Sequence, residues 1–229
     1  MKTKLIDEII TKSNLNLNEM KKVAQKKAAF ITTDNLKKLF SVEAKKHYAQ
    51  KNNSFEVDEN NKNYLNIFCK YFAQDLSFET DHYGDLHKGL YVLGGNGTGK
   101  TSSFEILQKI SKTYSINQIW TSIICTHDVV REFNLSESTK KDFIIQKYSR
   151  GRFMFDDLGA ETEASNFGKE DIFIRIMELR YNDFISKGVK THITSNLTFD
   201  DIKKRYGVRV YDRFFEMFNI VKVNGERRR

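Results

Sequence analysis

A glycine-rich segment that ends in lysine and threonine carries the clearest chemistry in this 229-residue chain. Glycines let a backbone fold closely around phosphates with its N–H groups pointing inward, and a following helix N-terminus adds its dipole. The segment matches the pattern G-x-x-x-x-G-K-[ST] in full. We expect Lys100 to place its charge on a γ-phosphate and Thr101 to offer a hydroxyl to Mg²⁺. The predicted phosphate-binding residues are Gly94, Gly95, Asn96, Gly97, Thr98, Gly99, Lys100, Thr101 and Ser102.

An acidic pair, Asp156 and Asp157, ends the apolar run at 152–155, some 55 residues after the lysine. A hydrolase that acts on a nucleoside triphosphate needs one carboxylate near its metal ion and another to polarise water. Asp156 suits the first role and Asp157 the second. An acidic pair after a strand is otherwise typical of a capped turn, but the carboxyl edge of an α/β sheet is where ligands bind. A base beside the metal carboxylate also favours an ATPase over a small-molecule kinase.

A third polar position follows another apolar run. Asn196 comes directly after the segment 189–194, so its amide can orient an attacking water or contact the γ-phosphate. It can equally cap a helix, because Thr198 and Asp200 follow; both interpretations stay open. His192, inside the run, is interpreted as a core histidine. Residues 55–58 are expected to border the adenine.

Alternating strand and helix patterns must position these residues. Such alternation predicts a parallel sheet with helices on both faces. The predicted strands are 89–93, 118–123, 152–155, 189–194 and 220–223. The predicted helices are 60–75, 100–114, 126–133, 138–148, 169–186 and 198–217, with Gly188 closing the fifth.

The first fifty residues also have helical character. Leu36, Phe40 and Ala44 follow helical spacing, with Thr33 or Asp34 as the predicted cap, and a further helix is predicted around residues 5–10. The polar stretch 51–54 indicates a boundary. We therefore predict a helical, partner-binding region over 1–54 and a nucleotide-binding domain over 55–229.

Composition narrows the class of protein. The formal net charge is +8, of which residues 1–50 carry +6 and residues 201–229 carry +5. Basic ends favour a nucleic-acid partner, although a solvated lysine-rich surface has the same composition. Two cysteines are too few for a disulfide framework or a zinc site. No secretory signal or transmembrane stretch is recognised, so the expected location is cytoplasmic.

The order of these motifs resembles the bacterial helicase-loader ATPases of the DnaC/DnaI type, over about residues 55–229. The resemblance rests on the glycine-rich loop followed by FMFDDLGAE, ELRY, THITSNL, RYGVRVYDRFFEMF and a terminal GERRR. The IstB transposition ATPases share the pattern, and both groups belong to the initiator clade of AAA+ proteins. The resemblance implies a P-loop NTPase fold with a minimal C-terminal lid or none.

The resemblance also implies roles for individual residues. Asn196 would be the sensor 1 residue, and Arg213 would be an arginine finger that reaches a neighbouring subunit's ATP, so hydrolysis would need a homo-oligomer. One of Arg227, Arg228 and Arg229 would be a sensor 2-like arginine, with Arg228 and Arg229 as the candidates for contact with the nucleotide. The helical segments between the second and third strands would face single-stranded DNA through Lys140, Lys141, Lys147 and Arg150. A solvated basic helix and tail remain the alternative for these cations.

The resulting hypothesis is a replication protein that binds ATP and Mg²⁺, hydrolyses ATP, and loads a replicative helicase onto single-stranded DNA as an oligomer. The main alternative is an IstB-like transposition helper that binds DNA and recruits a transposase. A second alternative is a nucleotide-gated scaffold without hydrolysis. The ATPase core is common to the first two, so the sequence leaves the choice between a helicase and a transposase open.

Overall fold

The computed structural model describes residues 31–161, 165–166 and 170–225. Within these ranges, five parallel strands form one sheet in the order β2-β3-β6-β1-β7. The strands of this sheet are β1 Gly89–Gly94, β2 Ser122–Cys125, β3 Phe153–Leu158, β6 Thr191–Ser195 and β7 Phe218–Val223. A two-residue pair, β4 Ser165–Asn166 and β5 Glu170–Asp171, is antiparallel and separate. The helix predicted around residues 5–10 and the arginines at 227–229 lie outside the described residues.

Nine α-helices surround the sheets in the described part of the chain. They are α1 Thr33–Ala49, α2 Lys62–Phe72, α3 Ser77–His82, α4 Lys100–Tyr114, α5 Thr126–Leu135, α6 Lys141–Ser149, α7 Ile172–Lys187, α8 Phe199–Tyr206 and α9 Val208–Met217. The alternation of strands and helices predicted from sequence is therefore confirmed. Short 3₁₀ turns at Asn117–Ile119 and Ser138–Lys140 precede β2 and α6.

Local details differ from the sequence-based expectations: α3 Ser77–His82 was not predicted, β3 continues to Leu158 rather than ending at 155, and three further differences follow. The region 198–217 forms two helices because Gly207, with φ of +86°, breaks the chain between them. The cap of α1 is Thr32, whose hydroxyl oxygen accepts a hydrogen bond from the Asn35 N–H. Neither Thr33 nor Asp34 has that role, and the Thr33 hydroxyl donates to Asp75 instead. Strand β2 begins at Ser122 rather than at 118, because 117–119 forms the 3₁₀ turn.

Alternating side chains of the strands divide the core between the two faces of the sheet. Tyr91 and Phe155 belong to a cluster formed with helices α5 to α9, whereas Leu90 and Met154 belong to the cluster on the opposite face. This period of two is what a strand buried on both faces requires. The resulting architecture has helices on both sides of the sheet, as predicted.

Helix α1 packs into the same core as the nucleotide-binding loop's helix. Leu36, Phe40 and Ala44 are buried in one cluster with Phe104 of α4 and Leu90 of β1. The stretch 51–54 therefore connects parts of one core among the described residues. That residues 1–54 bind a partner stays a prediction.

None of the described helices is long and apolar enough to cross a lipid bilayer.

Candidate functional site

The glycine-rich loop connects β1 to α4 and wraps the first turn of that helix. Gly97 and Gly99 have φ of +79° and +95°, a region that favours glycine, so the loop can turn without steric cost. Helix α4 then begins at Lys100, which directs its N-terminal N–H groups at the loop. A cavity of about 610 Å³, here called the phosphate cavity, lies against this loop. Its lining residues are Tyr48, Lys51, Asn53, Asp157 and 96–102.

Lys100 is held at the centre of the site. Its ammonium donates to the carbonyl oxygens of Gly94 and Gly95 at 2.7 and 2.8 Å, and to Asn196 Oδ1 at 2.8 Å. Burial lowers the pKa of Lys100, while the charges of Asp157 and Asp156 oppose that change. A buried ammonium that is stabilised by few charges gains strongly from a negative ligand, and a triphosphate supplies that negative charge.

Asp156 and Thr101 form an oxygen-rich pair next to the loop. The Thr101 hydroxyl donates to Asp156 Oδ1 at 2.8 Å, and the Thr194 hydroxyl donates to the same oxygen at 2.6 Å. Burial raises the pKa of the Asp156 carboxyl, against the effect of these two hydrogen bonds. Carboxylate and hydroxyl oxygens are the donors that Mg²⁺ prefers, and a cation here would favour the charged carboxylate. Thr101 and Asp156 therefore fit the metal role predicted for them.

Asp157 lies on an irregularity of the sheet. The register of β3 against β6 shifts between Phe155 and Leu158, so that Asp156 and Asp157 lie opposite Thr194. Bulges of this kind redirect side chains next to active sites. Asp157 also has φ of +61°, which is uncommon for a residue with a side chain. Its N–H donates to Thr194 Oγ1 at 2.9 Å, and it lines the phosphate cavity.

Asn196 follows β6 and contacts both the lysine and the loop. Its Oδ1 accepts from Lys100, and its Nδ2 donates to Asn96 Oδ1. Thr198, and not Asn196, caps α8, with a reciprocal bond to Asp201. The capping interpretation of Asn196 is therefore wrong, because its amide links Lys100 to Asn96 of the loop.

A second cavity of about 260 Å³ adjoins the first and shares Tyr48, Asn53, Thr98 and Gly99 with it. Aromatic rings of Phe40, Tyr48, Phe55 and Tyr64 contribute to its wall. Segment 55–58, predicted to border an adenine, supplies three of the lining residues. An aromatic cavity beside a phosphate loop suits a nucleobase.

Arg213 lies away from this centre, on α9. Its Nη1 is 3.1 Å from Glu178 Oε1, and its guanidinium lies 4.8 Å from the centroid of the Tyr181 ring. Arg209 also reaches Glu178, at 3.3 Å, but its side chain is 75% exposed whereas that of Arg213 is 16% exposed. The structure thus places Arg213 outside its own subunit's phosphate site, which is compatible with the predicted role in a neighbouring subunit. Arg228 and Arg229 lie outside the described residues.

The basic residues predicted to contact DNA surround α6, and two of them have acidic partners. Lys140 pairs with Glu137 at 3.1 Å, and Lys147 pairs with Glu132 at 2.7 Å. Lys141 lies over the Phe133 ring at 4.9 Å. Arg150 is exposed just after the helix. The acidic partners reduce the local positive charge, so the lysines alone do not make a strongly positive surface.

Several residues of the site belong to no sequence motif and were not predicted. Thr126 directly follows β2, and its hydroxyl donates to the carbonyl oxygens of Asp156 and Asp157, both at 3.1 Å. These hydrogen bonds hold the backbone of the acidic pair. Tyr48 and Lys51 reach the phosphate cavity from the end of α1, where no local pattern could have indicated them. Thr126 could have been suspected, since it follows a strand that ends at the same edge of the sheet.

Comparisons with known proteins agree on the fold. No family model matches the sequence, and no curated protein matches it. The crystal structure of DnaI is similar over 74% of this chain and 88% of that chain, with a TM-score of 0.52 and 19% identity. The DnaC helicase loader is similar over 74% of this chain and 93% of that chain, with a TM-score of 0.50 and 19% identity. The replication initiator DnaA, bound to AMPPCP and single-stranded DNA, is similar over 80% of this chain and 52% of its own, with a TM-score of 0.53 and 16% identity.

The aligned residues of these proteins are at most 19% identical to this chain, so the similarities show a shared fold. They agree with the five-stranded parallel sheet flanked by helices. The chain therefore has the fold of DnaI and of the DnaC helicase loader.

Proposed function

We propose that this chain is an ATPase of DNA replication that loads a replicative helicase onto single-stranded DNA as a nucleotide-dependent oligomer. One observation carries the catalytic part of the proposal: Lys100 and Thr101 line one cavity, and hydrogen bonds of 2.8 Å join Lys100 to Asn196 and Thr101 to Asp156. Asp157 lines the same cavity. A phosphate charge, a metal ion and a water molecule each find a suitable partner there.

The chemistry follows from these positions. Lys100 and the loop N–H groups bind the β- and γ-phosphates, and Asn196 orients the attacking water. The Asp157 carboxylate accepts a proton from that water as the water attacks the γ-phosphorus, and the bond from this phosphorus to the β–γ bridging oxygen breaks to release ADP. Thr101 and Asp156 would hold Mg²⁺, which neutralises phosphate charge when bound. Arg213 would act on the ATP of a neighbouring subunit after it leaves Glu178.

The DNA-binding part rests on a further feature of α6. Phe143 is 69% exposed, Lys147 lies four residues after it on the same side of the helix, and Lys140 directly precedes the helix. An exposed aromatic ring between cations is typical of single-strand binding surfaces, where bases stack on the ring. Phosphates would replace Glu137 and Glu132 as partners of the two lysines.

The enzymatic test is ATP turnover by the full chain, over a range of protein concentrations and with or without single-stranded DNA. We expect turnover that rises with concentration, because Arg213 must act between subunits. Lys100→Ala is the inactive control. Absence of turnover at concentrations where the protein forms oligomers would refute the ATPase and favour a nucleotide-gated scaffold.

The DNA test compares two exposed apolar residues of the same region. Phe143→Ala should weaken binding of a fluorescent single-stranded oligonucleotide at least about fivefold, since stacking contributes roughly 1–3 kcal/mol per base. Leu135→Ala is the matched control, because Leu135 is 81% exposed but has no ring. Equal affinities for the two variants would remove α6 from the proposed interface.

The partner test uses the full chain as bait against cell extracts, with ATP or ADP. Recovery of a hexameric helicase supports the loader, with residues 1–54 as the proposed contact. The observations that favour a loader are the similar folds of DnaI and the DnaC helicase loader. Recovery of a transposase would reverse the choice of partner and leave the ATPase chemistry intact.

A further inference from the structure

The turn that carries Asp157 is conformationally demanding. Asp157 has φ of +61° and Gly159 has φ of +97°, and the Ala160 N–H closes the turn on the Asp157 carbonyl at 3.0 Å. Backbone conformations of this kind persist only where the surroundings impose them. The question is therefore which side chains hold this turn.

Glu161 is the main candidate, because its side chain is fully buried. Its Oε2 accepts from the Gly159 N–H at 2.7 Å, and its Oε1 accepts from Arg205 Nη2 at 2.9 Å and from the Tyr206 hydroxyl. Burial and the charge of Glu161 both raise the pKa of Tyr206, so its hydroxyl stays a donor. A carboxylate with three donors has little freedom to move.

Arg205 extends the contact to the backbone of the turn. Its Nη1 donates to the Gly159 carbonyl oxygen, and its Nη2 donates to the Glu161 carbonyl oxygen at 2.7 Å. Glu161, Arg205 and Tyr206, here called the turn clamp, thus bind both polar backbone groups of Gly159. A planar guanidinium suits this task because its donors are fixed in one plane.

Helix α8 links the turn clamp to the other side of the site. The helix begins after the Thr198 cap, two residues beyond Asn196, and ends at Tyr206. Leu197 packs against the turn so closely that a Cβ on Gly159 would lie 2.3 Å from its Cδ1. One short helix therefore fixes both Asn196 and the turn of Asp157.

We propose that the turn clamp is a positioning device that holds the Asp157 carboxylate at the phosphate cavity. The inference rests on the proposed function, since Asp157 is the base of that reaction. The three residues touch neither the cavity nor the nucleotide loop among the described contacts, so they act through the backbone of 157–161. Loss of one contact should then lower the rate of hydrolysis without changing how tightly ATP binds.

Tyr206→Phe is the first test, because it removes one hydroxyl and keeps the ring. We expect kcat to fall at least about tenfold, since small misplacements of a reacting group are costly, with KM and ATP affinity close to the wild-type values. Tyr148→Phe is the matched control: Tyr148 is also buried, and its hydroxyl also donates to a glutamate, Glu132, away from the turn. A KM that rises with the loss of kcat, or an equal loss in both variants, would overturn the proposal.

Amide hydrogen exchange gives a readout that does not depend on hydrolysis. In Tyr206→Phe and Glu161→Gln, the amides of Gly159 and Ala160 should exchange faster than in the wild type and in Tyr148→Phe, while thermal unfolding stays cooperative. Unchanged exchange overturns the turn clamp even if the wild type is an active ATPase. Conversely, a wild type without turnover refutes the proposed function, and the exchange rates still decide whether the clamp holds the turn.

Discussion

A buried histidine in the central strand should make stability depend on pH. His192 is 6% exposed, its Nδ1 accepts a hydrogen bond from the Leu90 N–H at 3.1 Å, and three aromatic rings surround it. Burial, followed by the charges of Lys190 and Arg180, lowers its pKa from 6.5 to about 3. The folded protein therefore keeps this imidazole neutral at pH values where the unfolded chain protonates it.

The sign and size of the effect follow directly. Below pH 6.5 the unfolded state binds a proton that the folded state excludes, so stability falls as pH falls, by up to about 1.4 kcal/mol per pH unit. Between pH 6.5 and 5 the contribution of His192 is about 2 kcal/mol. Carboxylates also titrate in this range, so the comparison with a variant is what isolates the histidine.

Urea unfolding of the wild type and His192→Asn at pH 7.5, 6.5, 5.7 and 5.0 provides the measurement. The wild type should be the more stable at pH 7.5, and its advantage should shrink by about 2 kcal/mol by pH 5. His87→Asn, the same substitution at an exposed position, is the control. An advantage of the wild type that stays constant within about 0.5 kcal/mol would refute the buried neutral histidine.

Three further predictions concern the site. Lys100→Ala should weaken ATP binding about 100-fold in a fluorescence titration, because a charged donor is lost from the phosphates; unchanged affinity would contradict its role. Gly159→Ala should lower the melting temperature more than Gly188→Ala: both have positive φ, but only at Gly159 does a Cβ meet other atoms. Arg213→Ala should abolish turnover while ATP binding persists, with Arg209→Ala as the comparison; surviving turnover in the first variant would show that the finger lies elsewhere.

Sequence patterns predicted the sheet and its helices because the relevant signals are local. The loop 94–101 fixes the end of β1 and the start of α4, and buried apolar runs mark the other strands. The break at Gly207 was missed because apolar spacing continues across it, so periodicity indicated one long helix. The cap of α1 was displaced by one residue, since both Thr32 and Thr33 have a capping hydroxyl and only the backbone conformation distinguishes them.

Only part of the candidate site could be predicted from the sequence. Lys100, Thr101 and Asn196 come after strands, Asp156 and Asp157 lie in the last three residues of β3, and the carboxyl ends of these strands meet at one edge of the parallel sheet. The contact between Glu161 and Arg205 could not be predicted from a local pattern, because the two residues are 44 positions apart in the sequence. Their contact exists only once α8 has packed against the end of β3.

The end of α1 and the residues just after it line the phosphate cavity. Tyr48, near its end, lines both cavities, and Lys51, just beyond it, lines the phosphate cavity and lies 3.5 Å from Glu105 of α4. The buried face of α1 is fixed in the core by Leu36 and Phe40. A ligand that displaces Tyr48 would therefore move the end of α1, and the side of this helix that faces away from the core is exposed. We therefore expect a partner that contacts the exposed side of α1 to act on the phosphate cavity through Tyr48.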